Sequence, residues 1–139
     1  MVLDKKNANK LFQQAHKLED EGLWEDALKI RVDLVTSFPK SKTLTLTLAN
    51  TLKEVGRLDD AEKYYQKAIE LDPTSELASL HLFHFYWDDE NKRWKKEQRL
   101  DQRDKAFDEI RRFQSISHCE DYVEIIRELN EKYGGDEES

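Results

Sequence analysis

A single cysteine, Cys119, cannot close a disulfide within the chain, so a disulfide-built scaffold is excluded and a reducing compartment is the better fit. No apolar run approaches the length of a membrane span, and the opening MVLDKKNANK has no apolar stretch behind its lysines. Neither a membrane helix nor a signal peptide is expected, and the expected location is the cytoplasm. Basic residues are too few for a general nucleic-acid binder: the formal net charge is -7, whereas holding phosphates needs clustered Lys and Arg. Only Asn91 to Arg99, NKRWKKEQR, is locally basic. A Gly-rich phosphate loop, a Ser-centred elbow and a paired-carboxylate strand motif are all missing, so the chain is expected to be no enzyme and to need no cofactor.

Apolar residues (37%) and charged residues (38%) are nearly balanced at a mean hydropathy of -0.91, with two prolines to interrupt them. Such a composition suits amphipathic helices. The length suits one domain, about 1–134, followed by a flexible acidic tail over 135–139.

An internal repeat organises the chain. Shifting the sequence by 34 residues superposes Ala15 on Ala49, Leu18 on Leu52, Gly22 on Gly56, Asp26 on Asp60, Ala27 on Ala61 and Pro39 on Pro73. Leu11, Ala15 and Leu18, then Leu48, Ala49 and Leu52, recur at helical spacing, and Gly22 and Gly56 stand where a helix ends in a left-handed cap. A second apolar stripe follows each glycine: Ala27, Ile30, Leu34 and Val35, then Ala61, Tyr64, Tyr65, Ala68 and Ile69. Each unit is therefore a helical hairpin, closed by FPKS or LDPTS, where proline disfavours helix before it and Ser or Thr opens the next.

These residues resemble the tetratricopeptide repeat: a small residue in the first helix (Ala15, Ala49), glycine at the turn (Gly22, Gly56), alanine early in the second helix (Ala27, Ala61) and a closing proline (Pro39, Pro73). The resemblance implies an all-α fold, a short right-handed superhelix of about three hairpins plus a C-terminal capping helix, about seven helices in all. The repeats fall at about 8–41, 42–75 and 76–118. In the third, Phe83 replaces the small residue, Glu90 the glycine and Lys95 the alanine, and the next alanine, Ala106, comes eleven residues late. Eleven residues is about three helical turns, so the third hairpin is expected to be lengthened in both arms, with its tip near Asn91 to Lys96. Its second helix should run from about Glu97 to Ser115 with Leu100, Ala106, Phe107, Ile110 and Phe113 as its apolar face. A Ser-x-x-Glu capping box at Ser117 is expected to open the last helix, over about 118–134, with Tyr122, Ile125, Ile126, Leu129 and Tyr133 as its stripe.

By the same resemblance the first helix of each unit lines a concave groove. The groove positions would be Phe12, His16 and Glu19, then Leu46, Asn50 and Lys53, then Leu80, His84, Trp87 and Asp88. They would receive a partly apolar peptide or helix, Asn50 bonding its backbone and Trp87 anchoring it. Apolar residues at helical spacing are equally read as packing between hairpins, which applies to Phe12, Leu46, Leu80 and Trp87. The Lys/Asn/Arg carboxylate clamp of some family members is not matched, since Phe12, His16, Thr47, Leu77 and His81 hold those positions. At the hairpin tip Trp94 stands among four cations, either as a contact that binds an acidic partner or stacks on a base, or as a tryptophan folded back on its own hairpin.

His81, His84 and Asp88 share about two helical turns but lack a further ligand pattern, so no zinc site is expected. Adjacent His118 and Cys119 point about 100 degrees apart on a helix and make no dyad. The expected function is an adaptor or scaffold that binds another protein or peptide in the groove, as a monomer or weak homodimer. The alternative is a small acidic immunity or antitoxin-type protein that masks a basic toxin or enzyme through steered association.

Overall fold

The computed structural model describes residues 3–87, 94–95, 97–117 and 119–133. Seven helices run through them: α1 (Lys5–Asp20), α2 (Trp24–Ser37), α3 (Lys42–Glu54), α4 (Leu58–Leu71), α5 (Glu76–Trp87), α6 (Arg99–Gln114) and α7 (Glu120–Tyr133). No strand occurs among the described residues. Packing divides the chain into two compact units, Met1–Ala78 and Ser79–Ser139.

In the first unit the glycine and proline positions act as the sequence requires. Gly22 and Gly56 have φ of 78° and 84°, the left-handed region that a side chain disfavours. Gly22 N–H bonds to the Glu19 carbonyl and Leu23 N–H to that of Leu18; Gly56 and Arg57 repeat the pair on Lys53 and Leu52. Both helices thus close on the same two-bond cap, which satisfies carbonyls the helix leaves unpaired. Before each proline the chain turns extended, at Phe38 (φ -131°) and Asp72 (φ -150°). Ser41 then caps α3, its Oγ accepting from Leu44 N–H at 3.2 Å, and Ser75 caps α5 through Ala78 N–H at 3.1 Å. The core of this unit rests on small residues: Ala15, Ala27, Ala49, Ala61 and Ala68 have no exposed surface, with Leu34, Leu48, Leu52 and Tyr65 packed around them.

In the second unit Tyr122 of α7 is the centre. It is wholly buried and meets the rings of Phe83 from α5 (5.9 Å) and Phe113 from α6 (5.8 Å) edge-on. A polar chain threads the same core. Arg112 donates two bonds to Glu109 (2.8 and 2.7 Å), Ser79 Oγ donates to the same carboxylate, and the Tyr122 hydroxyl bonds to Ser79. Because Ser79 gives its one proton to the carboxylate, Tyr122 is the donor in the last link. Burial pushes the Tyr122 phenol well above its ordinary range.

Two expectations change, and a third lies outside the described residues. Leu100 is 73% exposed: the buried stripe of α6 is Ala106, Glu109, Ile110 and Phe113, and Leu100 lies about 120° around the helix from Ala106. The capping box at Ser117 does not open α7. Ser117 N–H bonds back to the Phe113 carbonyl at 2.8 Å, which ties it to the end of α6, and Cys119 supplies the first carbonyl of α7, accepting from Val123 N–H. The lengthened first arm and the tip of the third hairpin fall largely on residues 88–93 and 96, outside the described residues, as do His118 and the side chains of Leu129 and Tyr133.

The alanine contacts and the glycine caps make different demands. Ala61→Glu should cost at least about 3 kcal/mol, because it overfills a closed contact and buries a charge. Gly56→Ala should cost only about 1–2 kcal/mol, since an added Cβ would meet nothing within 4 Å and only the backbone conformation resists. Urea unfolding midpoints would separate the two; equal losses would mean the crossing is looser than this packing implies.

Candidate functional site

Lys5, Ala8, Asn9 and Phe12 recur at three- and four-residue intervals and therefore share one face of α1. That face forms one wall of a cavity of about 370 Å³, closed by Phe38 at the end of α2 and by Ser41, Thr43 and Leu44 at the start of α3. Lys5, Asn9 and Thr43 are exposed and Phe12, Phe38 and Leu44 half-buried, so the cavity has an apolar floor and a wet, polar rim.

Phe12 also covers a polar cluster one turn further along. Arg31 of α2 is 1% exposed; its Nε and Nη2 donate to Glu19 at 3.2 and 2.7 Å, and Thr51 of α3 donates to the same carboxylate at 2.5 Å. His16 Nδ1 lies 3.5 Å from Arg31 Nη2. The guanidinium carbon is 5.0 Å from the Phe12 ring centroid, and the Phe12 and His16 rings meet edge-on at 4.7 Å. One carboxylate thus joins three helices. Burial alone would raise the Glu19 pKa, but the bonds from Arg31 and Thr51 and the charges of Arg31 and His16 outweigh it and hold the group below the ordinary glutamate range.

The sequence-selected residues divide by environment. Phe12 and His16 come together beside the cavity, His16 with its side chain 49% exposed. Leu46 and Trp87 are buried core residues, at 4% and 8% exposure. Trp87 stacks on Phe83, meets Phe107 edge-on and lies beneath the Arg103 guanidinium at 4.7 Å. Asn50 accepts a hydrogen bond from the buried Tyr65 hydroxyl, and Lys53 pairs with Glu54 at 3.6 Å. In the second unit Leu80 is half-buried and His84 exposed. Trp94 turns back on its own hairpin: its indole N–H donates to the Phe85 carbonyl at 3.2 Å and its ring meets Phe85 edge-on. Asp88 lies outside the described residues.

Residues 46–75, from within α3 through α4 to the proline that closes the hairpin, match the family model of the tetratricopeptide repeat. That segment is similar to a tetratricopeptide repeat. No curated protein matches it. Repeats of this family serve as protein-interaction modules and are typically not enzymes, and the seven helices fit that architecture. No helix among the described residues is long and apolar enough to cross a membrane.

The matched repeat and the hairpin before it share a side-chain tie at equivalent positions. Arg31 and Tyr65 stand 34 residues apart, as do His16 and Asn50. In each hairpin the residue on the second helix reaches back to its partner on the first, Arg31 to His16 and Tyr65 to Asn50. A charged residue within the apolar stripe Ala27, Ile30, Leu34 and Val35 was the available signal for Arg31.

Replacing Glu19 by Gln should cost roughly 3 kcal/mol or more at neutral pH, because Arg31 stays buried without its counter-charge. The depressed Glu19 pKa has a defined sign: its stabilisation is complete above the unfolded value, near 4.5, and is lost as pH falls through the lower folded value. Chemical denaturation across the acid range should therefore show a shallower fall in stability for Glu19→Gln than for the parent. Parallel pH profiles would remove Glu19 from the acid response.

Proposed function

We propose that the protein is a non-catalytic adaptor that binds an extended or helical segment of another protein along the face shared by α1 and α3. The observation that carries this reading is the cavity of about 370 Å³ between the starts of those helices. Its size suits an inserted side chain: a cavity of about 150 Å³ already holds benzene. Exposed amide and hydroxyl groups of Asn9 and Thr43 rim it, the arrangement by which a mostly apolar pocket gains orientation from a few polar groups. Phe12 and His16 extend the surface toward the Glu19 cluster, which keeps α1, α2 and α3 in fixed relation beneath it.

The binding residues in this reading are Lys5, Asn9, Phe12, His16, Thr43 and Leu44. Leu46 and Trp87 act through packing, and Trp94 through its bond to the hairpin. An acidic neutraliser of a basic partner would need a different surface, since Lys5 lines the cavity and Lys6 and Lys10 follow on the same helix.

A random-peptide display library selected on the protein tests the proposal. Selected peptides should lose roughly tenfold or more in affinity for Asn9→Trp, which fills the cavity from an exposed position, with no change in melting temperature. Binders indifferent to that substitution would place the interaction elsewhere, and a selection that enriches nothing would overturn the adaptor reading.

A further inference from the structure

We infer that the segment received by this cavity is acidic, with one large apolar residue among its carboxylates. The inference rests on the adaptor reading and adds the chemistry of its partner. Every other helix carries an acidic residue in its first turn: Glu25 and Asp26 in α2, Asp59 and Asp60 in α4, Glu76 in α5, Asp101 in α6, Glu120 and Asp121 in α7. α1 and α3 carry none. Their first turns hold Lys5 and Lys6, and Lys42, against the positive end of the helix dipole, where a cation is disfavoured and an anion favoured. These are the two helix starts that wall the cavity.

Local charge agrees with the helix ends. From Met1 to Lys17 the only carboxylate is Asp4, against Lys5, Lys6, Lys10 and Lys17, and Lys40 and Lys42 flank the other wall. Asp4 is committed to capping α1 through Asn7 N–H at 2.8 Å, and Asp72 to Lys42 at 3.0 Å. Among the described residues Lys5, Lys6, Lys10 and Lys40 form no ion pair. In a chain of net charge -7, Lys5 on the wall of an apolar cavity, between two helix starts that have no acid in their first turns, complements a segment whose carboxylates meet that positive end while an aromatic or long aliphatic side chain enters between Phe12, Phe38 and Leu44. Exposed lysines each add little equilibrium affinity, so the apolar anchor supplies the grip and the charges select and steer.

Three fluorescein-labelled heptapeptides test this by anisotropy on the full chain: a central Phe flanked by Asp and Glu, the same peptide with Ala for Phe, and a central Phe flanked by Ser and Gly. The acidic Phe peptide should bind saturably, and the Ala peptide at least about tenfold more weakly. Lys5→Glu should weaken the acidic Phe peptide by about threefold to fivefold more than it weakens the neutral Phe peptide. Raising salt from about 0.1 M to about 1 M, which shortens the screening length from ~10 Å to ~3 Å, should remove the preference for the acidic peptide. Equal binding of the neutral and acidic Phe peptides would overturn the acidic partner and leave the apolar groove standing. No saturable binding of either Phe peptide would overturn both.

Discussion

Everything in the first unit depends on close contact between helices at four alanines. Ala15 and Ala27 in the first hairpin, and Ala49 and Ala61 in the second, have no exposed surface, and their small side chains allow the two helices of each hairpin to approach closely. Close approach leaves no volume for larger side chains at the crossing and moves the bulk outward to Leu34, Leu48, Leu52 and Tyr65. Packing at native density then fixes the helix spacing, because neither a cavity nor an extra methylene is cheap at such a contact.

Close contact also creates an electrostatic difficulty, which the chain meets twice by the same geometry. A polar residue on the second helix, Arg31 or Tyr65, is sealed from water at about 1% exposure and must find its partners inside the protein. Tyr65 needs one acceptor and finds Asn50. Arg31 carries a charge, and the more demanding solution recruits Glu19, Thr51 and the Phe12 ring as well. The charge of Arg31 explains why the first hairpin is tied to the next helix through a shared carboxylate. Phe12, half-exposed above the guanidinium, links this buried tie to the surface on which a partner would act.

The hairpins, their glycine caps and their closing prolines were legible in the sequence because each rests on a local rule: a left-handed residue needs glycine, and the residue before proline avoids helix. Side-chain roles were less legible where a helix is apolar on more than one face. In α5, Leu82, Phe83, Phe85, Tyr86 and Trp87 are buried, but the exposed side carries Leu77 as well, so apolar residues fall on every face and periodicity does not mark the solvent side; Trp87 reads equally well as groove or core. Trp94 was ambiguous for another reason: its place depends on a bond to the Phe85 carbonyl nine residues earlier, which no local pattern encodes. The cavity was missed because its α1 wall begins at Lys5 and Ala8, one to two turns ahead of the positions through which the repeat was recognised.

Net charge is a poor guide to what such a surface selects. The figure of -7 is a sum over the chain, but a partner within about 10 Å of the surface senses only nearby charges. At the starts of α1 and α3 the first turns hold lysines, with Asp4 committed to the cap of α1, and the aligned backbone dipoles of two helices add to the positive charge. Placing cations there raises the energy of the unbound helices slightly, whereas acids occupy the corresponding turns of the other five helices. Beyond the Asp4 cap, the first turns bordering the cavity hold no acid, so an anionic partner would meet uncompensated positive charge there. Acidic residues elsewhere in the chain do not undo this preference: they repel an acidic segment from other faces and so favour its approach at this one.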